Sequence, residues 1–407
     1  MRISYGVHCA ALAAAALLAW PGTASALSDL VLNVDCAAGQ SIGQALARPT
    51  LFDRRLVIVV NGTCHENFTI ARDDVVVRST SGGVAGTDPS LPAIVVDGAK
   101  RVTLENLVVT GGHEGVRVTN GASATIRKST ISNAVQHGVL VNFGAYAKIE
   151  DSILESNSQF GIVVNASSAS LVGSILRNNN GSGIAVVSTG YALLGQVDDA
   201  GNVCCGNTIE GNRLDGVTAS RNAVARLYGN TIRNNGAATG RWGILSVEQS
   251  MVWLEGGNVV SGNGSASGGG GAFVRGSGLR TGQGDQPVIP QTNEISGNTT
   301  GILGQTANLE LGGGVVVSGS TLDGIVADQG TRLRANTITV TQNLGNGILA
   351  LKASGVQLNG SGPNNVVSQN GKAGLACDEY SHYSGNAFGI GSNNPAFGDV
   401  SCTPFTY

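Results

Sequence analysis

Charged residues are scarce in this 407-residue sequence: Asp, Glu, Lys and Arg supply 13% of it, about half of what soluble domains usually carry. The formal net charge is −3, so the basic surface that nucleic acid demands is missing. Aromatics make up 4% and methionine fills two positions. Helix-promoting Glu, Lys, Gln and Met are thin on the ground, and the remainder is material for strands and turns. No stretch reaches the roughly 18 to 20 apolar residues of a membrane-spanning helix. The apolar run from Cys9 to Trp20 follows Arg2 and precedes Pro21, Gly22 and Ala24-Ser25-Ala26. That is the pattern of a signal peptide cut after Ala26. A soluble, exported chain is therefore expected, periplasmic or released, and monomeric.

Glycine is abundant, with 61 residues, which suggests a repeated demand for tight turns. A glycine followed by a short apolar strand recurs at Gly115, Gly138, Gly161, Gly183, Gly216, Gly243, Gly301, Gly324, Gly347 and Gly374, with a degenerate copy at Gly271. Several intervals are 23 residues, the signature of a solenoid. Each period holds two further short strands, one with an Ala-x-apolar pattern (Ala124, Ala147, Ala169, Ala225) and one centred on isoleucine (Ile131, Ile153, Ile175, Ile209, Ile232, Ile338). Three strands per period leave no room for a helix in each repeat, which excludes leucine-rich and ankyrin horseshoes. Asn157, Asn179, Asn212, Asn343 and Asn370 each stand four residues before a repeat glycine. Stacked amides of this kind can bond from coil to coil.

These asparagine columns resemble the ladders of the pectate-lyase-like right-handed parallel β-helix family, over roughly residues 55 to 380. The resemblance implies an all-β rod of three short strands per coil. Eleven glycine-led coils plus one or two before them predict a length of about 60 Å. The expected organisation is a signal peptide at 1–26, an N-terminal cap at 27–56, the β-helix at 57–380 and a C-terminal cap at 381–407. A ten-residue insertion between Gly183 and Gly216, and the stretch from Ser261 to Pro290, read as loops decorating the rod. The family's enzymes carry motifs that are missing here. There is no Asn-Thr-Asp or Arg-Ile-Lys of polygalacturonases, and Asp88-Pro89 runs on to Ser90 where mannuronan epimerases have Asp-Pro-His-Asp.

Six cysteines follow the signal segment: Cys36, Cys64, Cys204, Cys205, Cys377 and Cys402. Their clustering suggests Cys36–Cys64, Cys377–Cys402 and a vicinal Cys204–Cys205 disulfide. Adjacent cysteines lie closer than the usual disulfide geometry, so that third bond would be strained, and a redox site is the competing reading.

The 23-residue period sets Glu114 over His137, Arg127 over Glu150 and Lys128 over Asp151. The last two pairs read as ion pairing along a ladder. Glu114 could orient His137 as a general base, with His113 and Arg117 nearby, as uronic-acid lyases and epimerases require. Two features oppose an enzyme: the missing motifs, and the outward positions Arg117, Leu140, Val163, Ala185, Thr218, Leu245, Leu303, Val326 and Leu349, an apolar stripe with one charge. A second strand face carries mixed charge, and Tyr228, Trp242 and Trp253 are candidates for stacking against sugar, Trp242 either adding to that face or sitting at a neighbouring corner just before Gly243. No cofactor is expected. Calcium stays open, although Asp73-Asp74 and Asp198-Asp199 have no partners at the repeat spacing. The expected function is a non-catalytic protein that binds polysaccharide or another surface polymer, or a scaffold. The alternative is a polysaccharide lyase, epimerase or hydrolase centred on Glu114, His137 and Arg117.

Overall fold

A computed structural model describes residues 29–49, 54–282, 292–359, 364–387 and 389–402. The expected signal peptide and residues 283–290 lie outside these described residues, and the rest of the stretch expected to loop from Ser261 is corrected: it holds the rod strands Gly270–Arg275 and Gly278–Thr281. Each glycine-led strand alternates buried and outward side chains, as Val139–Asn142 does. Residues with one short apolar inward chain, such as Val116, Val139, Ile162, Ile184 and Val217, therefore stack in register on successive rungs. All are fully buried. The result is a three-sided parallel β-helix of about 15 turns, a rod of about 70 Å. The glycine-led strands form a 14-stranded parallel sheet. The other two faces join as one 26-stranded sheet, because Leu56–His65 and Val75–Gly86 run through the corner between them.

The rod is longer than the glycine count predicts. Phe68–Ile70 and Ile94–Asp97 belong to the glycine-led sheet, but Asn67 and Ala93 stand where later rungs have glycine. Parallel pairing starts earlier than residue 57, with Leu30–Asp35 on Leu56–Asn61. It continues past 380, with Leu375–Ala376 on Val400–Ser401.

The repeat glycines serve a different purpose from the one expected. None of them has positive φ; Asn106, Lys128 and Asp151 take the left-handed corner positions instead. The glycines permit close approach. A Cβ on Gly138 would lie 2.7 Å from the Gly161 carbonyl oxygen and 2.7 Å from Asn157 Nδ2.

Beside that contact runs the expected asparagine column. Asn157 donates to Asn179 at 2.9 Å, Asn179 to Asn212 at 3.0 Å and Asn212 to Asn235 at 2.9 Å, and the series continues through Asn263 to Asn298. A second ladder at another corner escaped the sequence reading: Asn207, Asn230, Asn258 and Asn293, bonded at 2.8–3.0 Å. Ser129, Ser152 and Ser174 fill its earlier steps, so no single residue type marks it. The first column resumes at Asn343, Asn370 and Asn393. Between Asn298 and Asn343 the column position is Ser320, whose hydroxyl is buried without a partner.

Both ends are covered. Near the N-terminus a short helix, Ile42–Leu46, is capped by Ser41, and Glu66 accepts from the Ile42 and Gly43 amides at 2.7 and 3.1 Å. Disulfides Cys36–Cys64 and Cys377–Cys402 tie these regions to the rod. The third expected bridge is corrected: Cys204 and Cys205 are free thiols. Cys204 ends a small antiparallel hairpin, Gln196–Val197 with Val203–Cys204, and Cys205 turns the next corner with φ 55°. Closing a bond across that peptide would disturb both.

Two ion-pair expectations are corrected as well. Arg127 and Glu150 share a register, but Arg127 bonds Glu105 on the preceding rung at 3.1 Å and Glu150 takes Lys148 at 2.5 Å. Lys128 and Asp151 make no ion pair among the described residues; both occupy the left-handed corner, where the chain turns away from the strand surface.

The ladders carry a prediction. Asn230→Ala leaves the Asn207 amide and buried turn groups unpaired, and is expected to cost about 2–3 kcal/mol. Hydrogen exchange at the flanking rungs reads that loss locally, whereas two-state melting does not suit a long repeat array. Ser320→Asn completes the first column and should slow exchange there; unchanged exchange would show that the gap is structurally neutral.

Candidate functional site

One column of side chains stands immediately before the repeat glycines, at the corner entering the glycine-led sheet. Backbone hydrogen bonds hold its register: Gly115 N–H donates to the His137 carbonyl, Gly138 to Phe160, Gly161 to Ser182, Gly183 to Asp215 and Gly216 to Trp242. Glu114, His137, Phe160, Ser182, Asp215 and Trp242 are thus successive members.

The three expected catalytic residues gather here, in a different arrangement. Glu114 is 2% exposed. Its carboxylate meets His113 Nδ1 at 3.1 Å and accepts from Arg117 Nη2 at 2.7 Å. It does not hold His137, a correction explained by reach: Arg117 and His113 approach it from its own rung, while His137 tilts onto Phe160 with ring centroids 5.4 Å apart. His137 Nδ1 is buried with no hydrogen-bond partner. Burial depresses the imidazole to a pKa of about 4, with Glu114 opposing that shift. A neutral imidazole beside a guanidinium has the composition of a proton-abstracting site, with Glu114 serving to fix Arg117.

Asp215, four rungs on, was missed. It is 1% exposed, accepts from Arg241 Nη2 and from the Trp242 amide, each at 2.9 Å, and is pushed up by burial against the pull of Arg241. Its place before Gly216, equivalent to that of Glu114, is the signal that could have revealed it.

The second strand face holds another cluster. Arg226 donates to Glu255 at 2.6 Å and to the Tyr228 hydroxyl at 3.0 Å, and lies over the Trp253 ring at 4.8 Å. Tyr228 is 8% exposed, so it supports this cluster from within. Trp253 Nε1 has no partner. Trp242 does not join them: it lies on the glycine-led sheet, stacked on Phe273 at 5.3 Å. Of the two placements open to Trp242, the structure has the neighbouring corner, away from Tyr228 and Trp253. Arg226, Trp253, Arg280, Glu310 and Arg334 follow in one outward register. Beyond Trp253 that column borders a groove of about 520 Å³, lined by Arg280, Glu310, Arg334, Asn336 and Asn359 over a Gly312–Gly314 floor.

On the glycine-led face the apolar stripe is real, and Phe273 joins it between Leu245 and Leu303. Among the described residues no group of three or more His, Cys, Asp or Glu side chains could hold a metal ion, and no helix is long and apolar enough to cross a membrane.

A repetitive, ladder-stabilised rod of stacked parallel rungs defines a β-solenoid. A family described as right handed beta helix region matches residues 58–195 and 92–263, together half of the chain, and the protein belongs to that right-handed β-helix family. Among solved structures it is similar to a periplasmic alginate epimerase, AlgG, at 15% identity over 91% of this chain and 83% of that one, with a TM-score of 0.48. It is also similar to the A-module of the Azotobacter vinelandii mannuronan C-5 epimerase AlgE4, at 12% identity over 93% and 87%, TM-score 0.41. Pectate lyase Pel9A follows at 13% over 69% and 77%, TM-score 0.36. At these identities the likeness is one of fold. No curated protein matches the sequence.

Because His137 is depressed in the folded chain, unfolding takes up a proton between its ordinary value of 6.5 and about 4. Its contribution to stability is fully present above 6.5 and is lost as pH falls toward 4. His137→Phe should flatten the pH dependence of hydrogen exchange near Phe160 across that window. An NMR titration of His137 with its midpoint near 6.5 would contradict the burial.

Proposed function

We propose that the protein is an exported, non-catalytic binder of an extended polysaccharide, which lies along the second strand face over Trp253 and the groove between Arg280 and Arg334. The groove carries this reading. It offers guanidinium, carboxylate and amide groups on successive rungs about 4.8 Å apart, close to the span of one sugar ring. Trp253 supplies an aromatic ring on the approach to the groove, with the Arg226 guanidinium 4.8 Å from its centroid, and the groove side chains supply the polar groups, the pairing of stacking and hydrogen bonding that glycan sites use. Export is supported by the N-terminal pattern and by two disulfides. On a glycan array the wild type should bind, with Trp253→Ala and Arg334→Ala each about tenfold weaker or more. Binding that both variants retain places the ligand elsewhere, and no binding to any glycan removes the reading.

A second reading rests on His137, which burial keeps neutral at physiological pH within the field of Arg117. It makes the protein a lyase or epimerase of uronic-acid chains. Incubation with pectate, alginate and heparin, followed by ultraviolet absorbance of unsaturated products and NMR of sugar configuration, tests it. Turnover abolished by His137→Ala supports the enzyme; no change in any polymer discards it.

A further inference from the structure

The hairpin inserted between Gly183 and Gly216 is the one antiparallel strand pair among the named strands, and it presents the chain's free thiols. Its tip is fixed by Asp198, whose carboxylate accepts from the Ala200 and Asn202 amides at 3.0 and 2.8 Å. Its base is anchored to the rod: the Cys205 carbonyl accepts from Gly173 N–H at 2.9 Å, and Gly195 and Gly206 lie so close to the Tyr228–Gly229 backbone that neither has room for a Cβ. Cys205 is exposed and Cys204 partly so. The adjacent Cys204 thiol pushes the Cys205 thiol up, and the Gln196 amide donates to Cys205 Sγ at 4.0 Å. Two free thiols therefore stand on consecutive residues of an anchored support, open to solvent.

A bond between them would be strained, because their Cα atoms are only about 3.8 Å apart. Strained disulfides have more oxidising potentials, so this pair resists closure under conditions that form the other two. A single soft atom inserted between the sulfurs widens the ring and removes that constraint. Thiolates prefer soft acceptors, and among the described residues the pair is not part of any group of three or more His, Cys, Asp or Glu side chains that could hold a metal ion. We infer that Cys204 and Cys205 form a two-sulfur site for a thiophilic acceptor satisfied by two thiolates, the class represented by monosubstituted trivalent arsenicals. With such a compound, R–As=O, each thiol forms one As–S bond. The two protons leave with the oxygen as water, and arsenic stays trivalent.

Phenylarsine oxide is the probe, applied without reductant to the full chain carrying Cys9→Ser, so that no third thiol contributes. A thiol count on the unreduced, denatured protein should give two, and intact mass should show one phenylarsenic unit per chain. Excess 1,2-dithiol should release it, and excess monothiol should not. Cys204→Ser and Cys205→Ser should each bind about a hundredfold more weakly, since the second sulfur engages intramolecularly. Rod melting should be unchanged in both, which separates lost binding from lost folding. A thiol count of zero, two thiols without an adduct, or a single variant that binds as tightly as the parent each overturns the inference.

Discussion

The structure depends on one contact: the approach of successive rungs at the glycine that opens each first strand. There the backbone of one coil lies against the carbonyl of the next, too close for a Cβ, and the asparagine column runs alongside with its amides fully buried. Each amide donates to its neighbour while its carbonyl oxygen accepts a backbone N–H from the coil before it, as Asn212 does for Asn179. The turn interior thus meets its own polar demand without water. A rung that breaks this pattern leaves buried groups unpaired, which explains why coils of different length obey it. Asn179 and Asn212 are 33 residues apart and Asn263 and Asn298 35, yet both pairs bond like those one 23-residue period apart. Between Asn179 and Asn212 the extra residues form the Gln196–Cys204 hairpin, and the ladder continues past it.

That constraint also decides where variation is permitted. The hairpin bearing Cys204 and Cys205 leaves the rod between two ladder positions and returns through Cys205, a corner residue whose carbonyl still pairs with the neighbouring rung. Outward columns are free of the ladder, and there the protein places its few charges. Most of these find partners from rung to rung or within one, as Arg226 does with Glu255 and Arg177 with Glu155. Charge is thereby used up inside the surface, in keeping with its scarcity in the sequence. Such pairs add little stability where they are exposed, but they order the side chains that border the groove.

The period, the first asparagine column, the terminal disulfide pairs and the apolar outward stripe were legible in the sequence because each follows from a spacing. What was hidden depends on side-chain choice among equals. A ladder offers every charge a neighbour above and below, so register alone could not show that Arg127 prefers Glu105 to Glu150. The second amide column was obscured because serine in the earlier rungs and asparagine in the later ones satisfy the same turn amide. The sequence left Trp242 open between two placements because a step of one residue moves a side chain from strand to corner, and its distance from Trp253 along the chain says nothing about which face it joins. Asp215 was overlooked although it occupies the same pre-glycine position as Glu114, since a lone acid has no counterpart in sequence to mark it.

The two candidate surfaces differ in what they present. Buried polar atoms without a partner among the described residues are scattered along the rod, Arg127 Nε, Asn142 Oδ1 and Ser167 Oγ as well as His137 Nδ1 and Trp253 Nε1, so they mark neither surface. The Trp253 face leads into an open concavity bordered by guanidinium and carboxylate groups, the features of ligand binding. The His137 corner has a neutral imidazole and a fixed cation, the features of proton transfer. Binding requires only the first set, whereas chemistry on a polymer requires the second to reach a chain that the first has positioned. The groove on the second face is therefore the more economical centre of function.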